Sequence, residues 1–396
     1  MGSRCVILSC ARALIKGYPA DAVMVIVQTV PAGSRVAARR FVDLPYRLYR
    51  HDSNWVPPPR RDAALALNPR RHPFYEHSDV AFFIATRDGR DVGRIAVMEH
   101  RPYNRAHGTT QASFGLFECG RDEEAASALF ARTFEWARGR GLTALVGPKG
   151  LSPFDGYGLL VDGFDRGQLM TMTNYNPAWY VPILEGFGFV KEVDFVSYEL
   201  HRDTFVMPEA VRRAAGQAAA RLRVVQYPTR RALVRAARAI GETYNRAFVS
   251  NWEYYPLTPH EIDFVVDQLR PLADHRLMTF IAAGEQIVGF VLAFPDVSDA
   301  LRGMRGRLTP WGIVRLLRDR RRTARVALNG AGIVPEYQGQ GGNALLYLQI
   351  ERAVRSSQYE WAELPQVAET ATRMRRDLEK LGAVPIKTHR VYTAPA

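Results

Sequence analysis

What the chain lacks narrows the field first. Lysine is nearly absent: only Lys16, Lys149, Lys191, Lys380 and Lys387 stand among the 53 basic residues, and the rest are arginines. A bias of that kind follows genomic base composition as readily as function, so the net charge of +13 does not by itself call for nucleic acid. Cysteine is scarce. Cys5, Cys10 and Cys119 cannot build a disulfide framework, and no CxxC or Cys/His ligand spacing occurs, which fits a reducing cytoplasm. The nearest histidine pairs, His72/His77 and His100/His107, sit among Pro, Asn and Arg rather than one helical turn apart, so no metal site is expected. No run approaches the ~18 apolar residues of a membrane span. What remains is a chain of 396 residues, 47% hydrophobic, long enough for two or three domains of about 150 residues each and too apolar for wholesale disorder.

The positive charge is mostly local. Arg302 to Arg325 holds nine arginines and one acid, Asp319. Within it, Pro310 is suited to start a helix, and Trp311, Ile313, Val314, Leu316 and Leu317 are interleaved with and followed by Arg315, Arg318, Arg320, Arg321 and Arg322. Three readings stand: a lid that holds an acidic acceptor or cofactor phosphates, a foot making peripheral contact with a membrane or another polyanion, or a solvated insertion. At the other end, residues 1–22 read as an over-called start ahead of Met24, a targeting segment or an ordered extension, with disorder or a mis-assigned start expected.

The chain repeats itself. Ser53-Asn54-Trp55 recurs as Ser250-Asn251-Trp252, and Phe83-Ile84-Ala85 as Phe280-Ile281-Ala282, both at an offset of 197. Leu184-Glu185 with Gly188 recurs as Leu378-Glu379 with Gly382, at an offset of 194. Three ordered matches at nearly one offset predict two copies of one fold. Each copy reads as strand, helix, hairpin, strand, helix, strand, helix and a β-rich tail, a mixed α/β (α+β) sheet covered by helices. The boundaries expected are 23–200 for the first copy, 201–221 for a linker helix and 222–396 for the second.

Chemistry is most legible in Gly332-Ile333-Val334-Pro335-Glu336-Tyr337-Gln338-Gly339-Gln340-Gly341-Gly342-Asn343-Ala344. A strand ends at Val334, a glycine-rich turn follows, and a helix starts with Leu346, Ile350, Ala353 and Val354 on one face. Backbone N–H groups at such a helix start form an anion site. A tight turn without a ligand is one alternative. A dinucleotide loop of the form G-x-G-x-x-A is another, but too few residues follow to complete its domain.

The turn, with Gln338 and Gly341 in a Gln-x-x-Gly-x-Asn frame, resembles the acyl-CoA pyrophosphate loop of the GNAT superfamily of N-acyltransferases. Asn343 departs from the small residue usual there. Leu378-Glu379-Lys380-Leu381-Gly382 resembles the end of that superfamily's fourth helix. Pro73-Phe74-Tyr75-Glu76-His77, Gly158 to Asp165 and Lys387 to Tyr392 are similar to a bacterial tandem-GNAT family, over nearly all of the chain from Met24. In the first copy the matching turn is Glu118-Cys119-Gly120-Arg121-Asp122-Glu123-Glu124, whose acids would repel a pyrophosphate, so that copy reads as degenerate.

The resemblance implies two tandem GNAT-like domains and direct transfer from an acyl-CoA, acetyl-CoA first, to a small-molecule or peptide amine in a ternary complex. Ile333, Val334 and Gln338 to Ala344 would hold the cofactor: Gln338, Gly339, Gln340, Gly341, Gly342, Asn343 and Ala344. A backbone N–H near Val334 would polarise the thioester. Glu369 is the expected base and Tyr392 the expected acid, since the tyrosine that many relatives use would fall near Leu378. Asn329, Trp252, Tyr254 and Tyr255 would line the acceptor pocket. Two other functions fit less of the sequence: an aminoacyl-tRNA-dependent transferase, which would lack a working CoA loop, and a non-catalytic CoA-binding module.

Overall fold

The repeated Phe-Ile-Ala segments become equivalent hairpins in a computed structural model, which describes residues 24–249, 251–252 and 254–396. The readings of residues 1–22 lie outside the described residues. The strands are β1 (Ile26–Thr29), β2 (Asp79–Arg87), β3 (Arg90–Glu99), β4 (Gln111–Cys119), β5 (Ala144–Gly147), β6 (Leu159–Asp162), β7 (Val190–His201), β8 (Arg223–Val225), β9 (Thr279–Ala283), β10 (Gln286–Pro295), β11 (Arg325–Ile333), β12 (Trp361–Ala368) and β13 (Val384–Pro395). The β2–β3 turn places Asp88 and Gly89 at φ of 52° and 72°, the doubly left-handed pair that lets a two-residue turn match strand twist. Helices Glu123–Arg138 and Gly342–Arg355 follow β4 and β11. Where the repeat pattern predicts a single helix after the second copy's first strand, there are two, Arg230–Arg235 and Ala237–Ala247. Gly241 lets the second lie directly on helix Pro259–Leu269, because a Cβ there would stand 2.5 Å from Ile262.

One continuous sheet runs β1-β2-β3-β4-β5-β13-β7-β12-β11-β10-β9-β8, with β6 added on β13. The first copy's last strand, β7, pairs with the second copy's β12, and the second copy's last strand, β13, pairs with the first copy's β5. The two copies thus exchange their final strands, which also pair with each other. Val193, Phe195, Val391 and Val146 bury their side chains along this seam. So does an ion pair, Lys387 Nζ to Glu363 Oε1 at 2.5 Å, with both residues under a tenth exposed. Burial raises the Glu363 carboxyl, against the pull of Lys387. Such a pair adds little net stability but penalises any register that leaves one charge unmatched.

Candidate functional site

The parallel pairing of β11 with β12 lasts only from Arg325–Ala327 against Trp361–Glu363. Beyond it the strands part, while β11 stays paired to β10 as far as Ile333. The gap is a cavity of about 410 Å³. Asn329, Gly330 and Ala331 line it from β11, and Pro365, Gln366 and Val367 from β12. It reaches both faces of the sheet. A Cβ on Gly332 would meet Ala247 and Phe248, at the end of helix Ala237–Ala247, whereas Ile333, pointing the other way, meets Gly342 at the start of helix Gly342–Arg355. On the first face the cavity wall is Tyr244, Phe248, Trp252, Tyr254 and Tyr255; on the second it is Tyr347, Ile350, Met374 and Leu378.

The glycine turn lies at the second face. No protein acceptor among the described residues takes the backbone N–H groups of Gly339 to Ala344, and no side chain caps the helix that starts at Gly342. Gly341 sits at φ 80°, and a Cβ there would come 2.8 Å from the Ala214 carbonyl oxygen on the linker helix Glu209–Ala218. Only glycine suits both conditions. The Gln338 amide donates to the Ile333 carbonyl and the Gln340 amide to the Glu336 carbonyl, so both side chains brace the loop. The donors left over, at the positive end of a helix, suit a pyrophosphate.

The first copy is closed at both equivalent places. Its β4–β5 pairing also stops early, but the chain after β5 fills the gap. Lys149 N–H donates to the Phe114 carbonyl at 2.8 Å, and a Cβ on Gly115 would lie 1.9 Å from the Lys149 carbonyl oxygen. Its helix Glu123–Arg138 is capped by its own Asp122 carboxylate, which accepts from Ala125 N–H and pairs with Arg87. An anion already occupies that helix start.

The sequence-predicted residues separate into groups. Asn329, Trp252, Tyr254 and Tyr255 line one cavity. Gln338 to Asn343 form the turn, with Gly342 and Ala344 buried at the helix start. Ile333 and Val334 are buried, and the Val334 N–H already donates to the Val288 carbonyl at 2.9 Å. It is therefore spent; strand alternation leaves the N–H of Ile333 facing the gap instead. Glu369 and Tyr392 are not brought to the cavity. Lys191 Nζ lies 2.7 Å from Glu369 Oε2, and the Asp194 N–H bonds its other oxygen. Tyr392 is 1% exposed, with its hydroxyl 3.3 Å from Glu185. No residue of Arg302 to Arg325 is among those that line the cavity.

Sequence reasoning passed over a buried polar chain joining the two copies. Tyr255 Oη lies 3.4 Å from Glu261 Oε1, Glu261 Oε1 lies 3.1 Å from His77 Nε2, and His77 Nδ1 lies 2.8 Å from Ser78 Oγ. Burial works to raise the Glu261 carboxyl, but hydrogen bonds from His77 and Thr258 outweigh it and hold it low. Glu261 also closes a capping box with Thr258, and that T-x-x-E spacing was its sequence signal. Nothing local could show that Tyr255 and His77 would meet it. A second, almost wholly apolar slot of about 100 Å³ runs between helices Ala237–Ala247 and Pro259–Leu269 and shares Phe154 and Tyr244 with the cavity. Among the described residues, no group of three or more His, Cys, Asp or Glu side chains could hold a metal, and no helix is long and apolar enough to cross a membrane.

No family model matches the chain. It is 30% identical over 383 residues to the bacterial ceramide synthase of Caulobacter vibrioides, covering 94% of this chain and 99% of that protein. It is 27% identical over 365 residues to protein YghO of Escherichia coli, covering 89% and 92%. Among solved structures it superposes on a tandem GNAT protein from the clavulanic acid biosynthesis pathway with a TM-score of 0.55, at 14% identity and over 94% of this chain and 98% of that one. A GCN5-related N-acetyltransferase from Sphaerobacter thermophilus gives a TM-score of 0.50 at 14% identity, over 94% and 95%.

Proposed function

Because the chain belongs to the family of the bacterial ceramide synthase of Caulobacter vibrioides and has the tandem GNAT fold, we propose that it N-acylates a long-chain lipid amine, with an acyl-CoA as donor. The observation that carries this reading is the asymmetry of the two copies. One gap is sealed and one helix start self-capped, while their counterparts are open and lead into an aromatic and apolar cavity. Most of its lining is aromatic or aliphatic, which favours an acceptor that carries an aliphatic chain. The relative's name points the same way, since a ceramide is an N-acylated lipid amine.

The N–H groups of Gly339 to Ala344 would hold the pyrophosphate, and Ile333 N–H would polarise the thioester carbonyl, a contribution of about 3 kcal/mol where such a donor has been removed elsewhere. The acyl-CoA supplies the activated acyl group. A lipid amine with a pKa near ~10 is mostly protonated at neutrality and must lose a proton before attack. Tyr255, on the acceptor side, would take that proton while passing its own to Glu261. Tyr347, whose hydroxyl burial pushes up to about 12, stays protonated at neutrality and would donate that proton to the departing CoA thiolate, and the proton that the nitrogen sheds as the amide forms would restore it. The apolar slot beyond Phe154 and Tyr244 would receive an aliphatic chain.

The test is turnover of the purified chain with acyl-CoA donors against long-chain amines and, separately, polar amines and peptides. Product only from the long-chain amines supports the reading. Product only from polar amines overturns the acceptor class, and absence of acyl-CoA binding by calorimetry overturns the donor.

A further inference from the structure

Helix Pro310–Arg322 has two unlike faces. Its inner face is docked. Gly312 is buried, Leu316 packs on the core of the second copy, and Arg320 donates to the carbonyls of Pro271 and Ala273 at 3.2 and 2.9 Å. The segment before it, Ser298–Met304, is tied to the first copy: Ser298 Oγ accepts from Met170 N–H, and the Arg305 carbonyl accepts from Arg60. The helix is therefore a fixed element, not a loose insertion.

Among the described residues, nothing packs on its outer face. Trp311 is 83% exposed, Val314 56%, Leu317 52% and Ile313 46%, with Leu308 at 43% just ahead. No other described stretch exposes so many large apolar side chains together. Helical spacing carries the Trp311–Val314 row on into Arg318 and Arg321, both exposed, with Arg322 beside them. The face thus begins with an indole and aliphatic side chains and ends in guanidinium groups. Exposed apolar area of this kind marks a docking surface. The cationic flank favours an occupant that presents negative charge beside an apolar layer.

We propose that this face is a foot that seats the protein on an anionic lipid bilayer, with Trp311, Ile313, Val314 and Leu317 in the interfacial region and Arg318, Arg321 and Arg322 on lipid phosphates. Aromatic and aliphatic residues beside arginines on one fixed helix face suit that boundary, where the ring and chains enter the headgroup region and the guanidinium groups pair with anionic heads. Arg320, bonded to backbone carbonyls, holds the foot and does not serve as a contact. The inference goes beyond the acyl-transfer reading and does not rest on it.

The experiment is flotation of the full chain with vesicles of phosphatidylcholine alone and of two parts phosphatidylcholine to one part phosphatidylglycerol. Binding to the second and not the first, weakening as salt rises, is the expected result. Changing Arg318, Arg321 and Arg322 together to Gln should weaken binding on the order of 100-fold, since each basic residue near the surface contributes about fivefold. Trp311→Gln, Val314→Gln and Leu317→Gln together should weaken it roughly tenfold or more. Both variants alter exposed positions, and circular dichroism and thermal melts matching the parent establish that they fold. Equal binding to both vesicle types, no binding to either, or variants that bind as the parent does would overturn the proposal. So would a dimer in sedimentation velocity that the apolar variant dissolves, which would give the face to a second copy. None of these readouts uses acyl transfer, so failure of the foot and failure of the enzymatic reading are distinguishable.

Discussion

Two carboxyls show how environment sets the role of a side chain. Glu118 is buried beside Tyr49, Tyr180 and Arg94, and burial raises its carboxyl to about 7 from 4.5, against the pull of Arg94 and the two hydroxyls. The native state then holds a proton that the unfolded chain has released. Its contribution to stability is complete below about 4.5 and is lost as pH rises through about 7. Glu118→Gln stays neutral at every pH. The melting temperature of the variant minus that of the parent should therefore climb from pH 5 to pH 8.5, and a flat difference would contradict it. Glu261 is the contrast, held ionised by His77 and Thr258. Glu261→Gln keeps the capping box, because glutamine serves at that position too. It should lower kcat by about 10²- to 10⁴-fold, the usual worth of a positioned base, and remove the acidic limb of the kcat/KM profile. A purely structural Glu261 would change the melt and leave that profile alone. At the loop, Asn343→Asp places a carboxylate at an exposed helix start. The helix should be unharmed or slightly steadied, while acyl-CoA affinity measured by calorimetry falls. Unchanged affinity would mean that the pyrophosphate does not sit there.

At the scale of elements, most of the local structure was written in the sequence. The hairpins fall where alternation and glycine turns place them, as Thr279–Ala283 and Gln286–Pro295 show. The strand, glycine turn and helix of the loop were equally plain, and so were the aromatic candidates, because Trp252, Tyr254 and Tyr255 stand close together in the chain. The surroundings of Glu369 and Tyr392 were not legible, because a residue's place along a strand says nothing of what waits across it. Lys191 comes to Glu369 from 178 residues away. Likewise, the spent N–H of Val334 depends on its pairing with Val288 rather than on any local pattern. The slot between helices Ala237–Ala247 and Pro259–Leu269 is defined by such contacts as well. Val265→Trp, which adds bulk to its wall, should shorten the preferred aliphatic chain by several carbons while a short-chain substrate turns over as before. An unaltered chain-length profile would remove the slot from the substrate path.

The whole molecule is bound together by the exchanged strands. A repeat shows that two copies exist; it carries no signal of which copy a strand will join. With β13 between β5 and β7, and β7 between β13 and β12, neither copy completes its sheet alone. Calorimetry should give one cooperative transition with matching calorimetric and van't Hoff enthalpies, and two separable transitions would show that the copies are independent. The same arrangement sets a schedule for biosynthesis. The open edge of β5 waits for a partner made roughly 240 residues later. At about 5–20 residues per second, that stretch takes on the order of ten to fifty seconds to synthesise. Through that interval Leu145 and Val146, fully enclosed in the finished protein, belong to an unpaired edge. A nascent chain with such an edge invites pairing with its neighbours on a polysome, and chaperone demand during translation follows directly from where the final strand was placed.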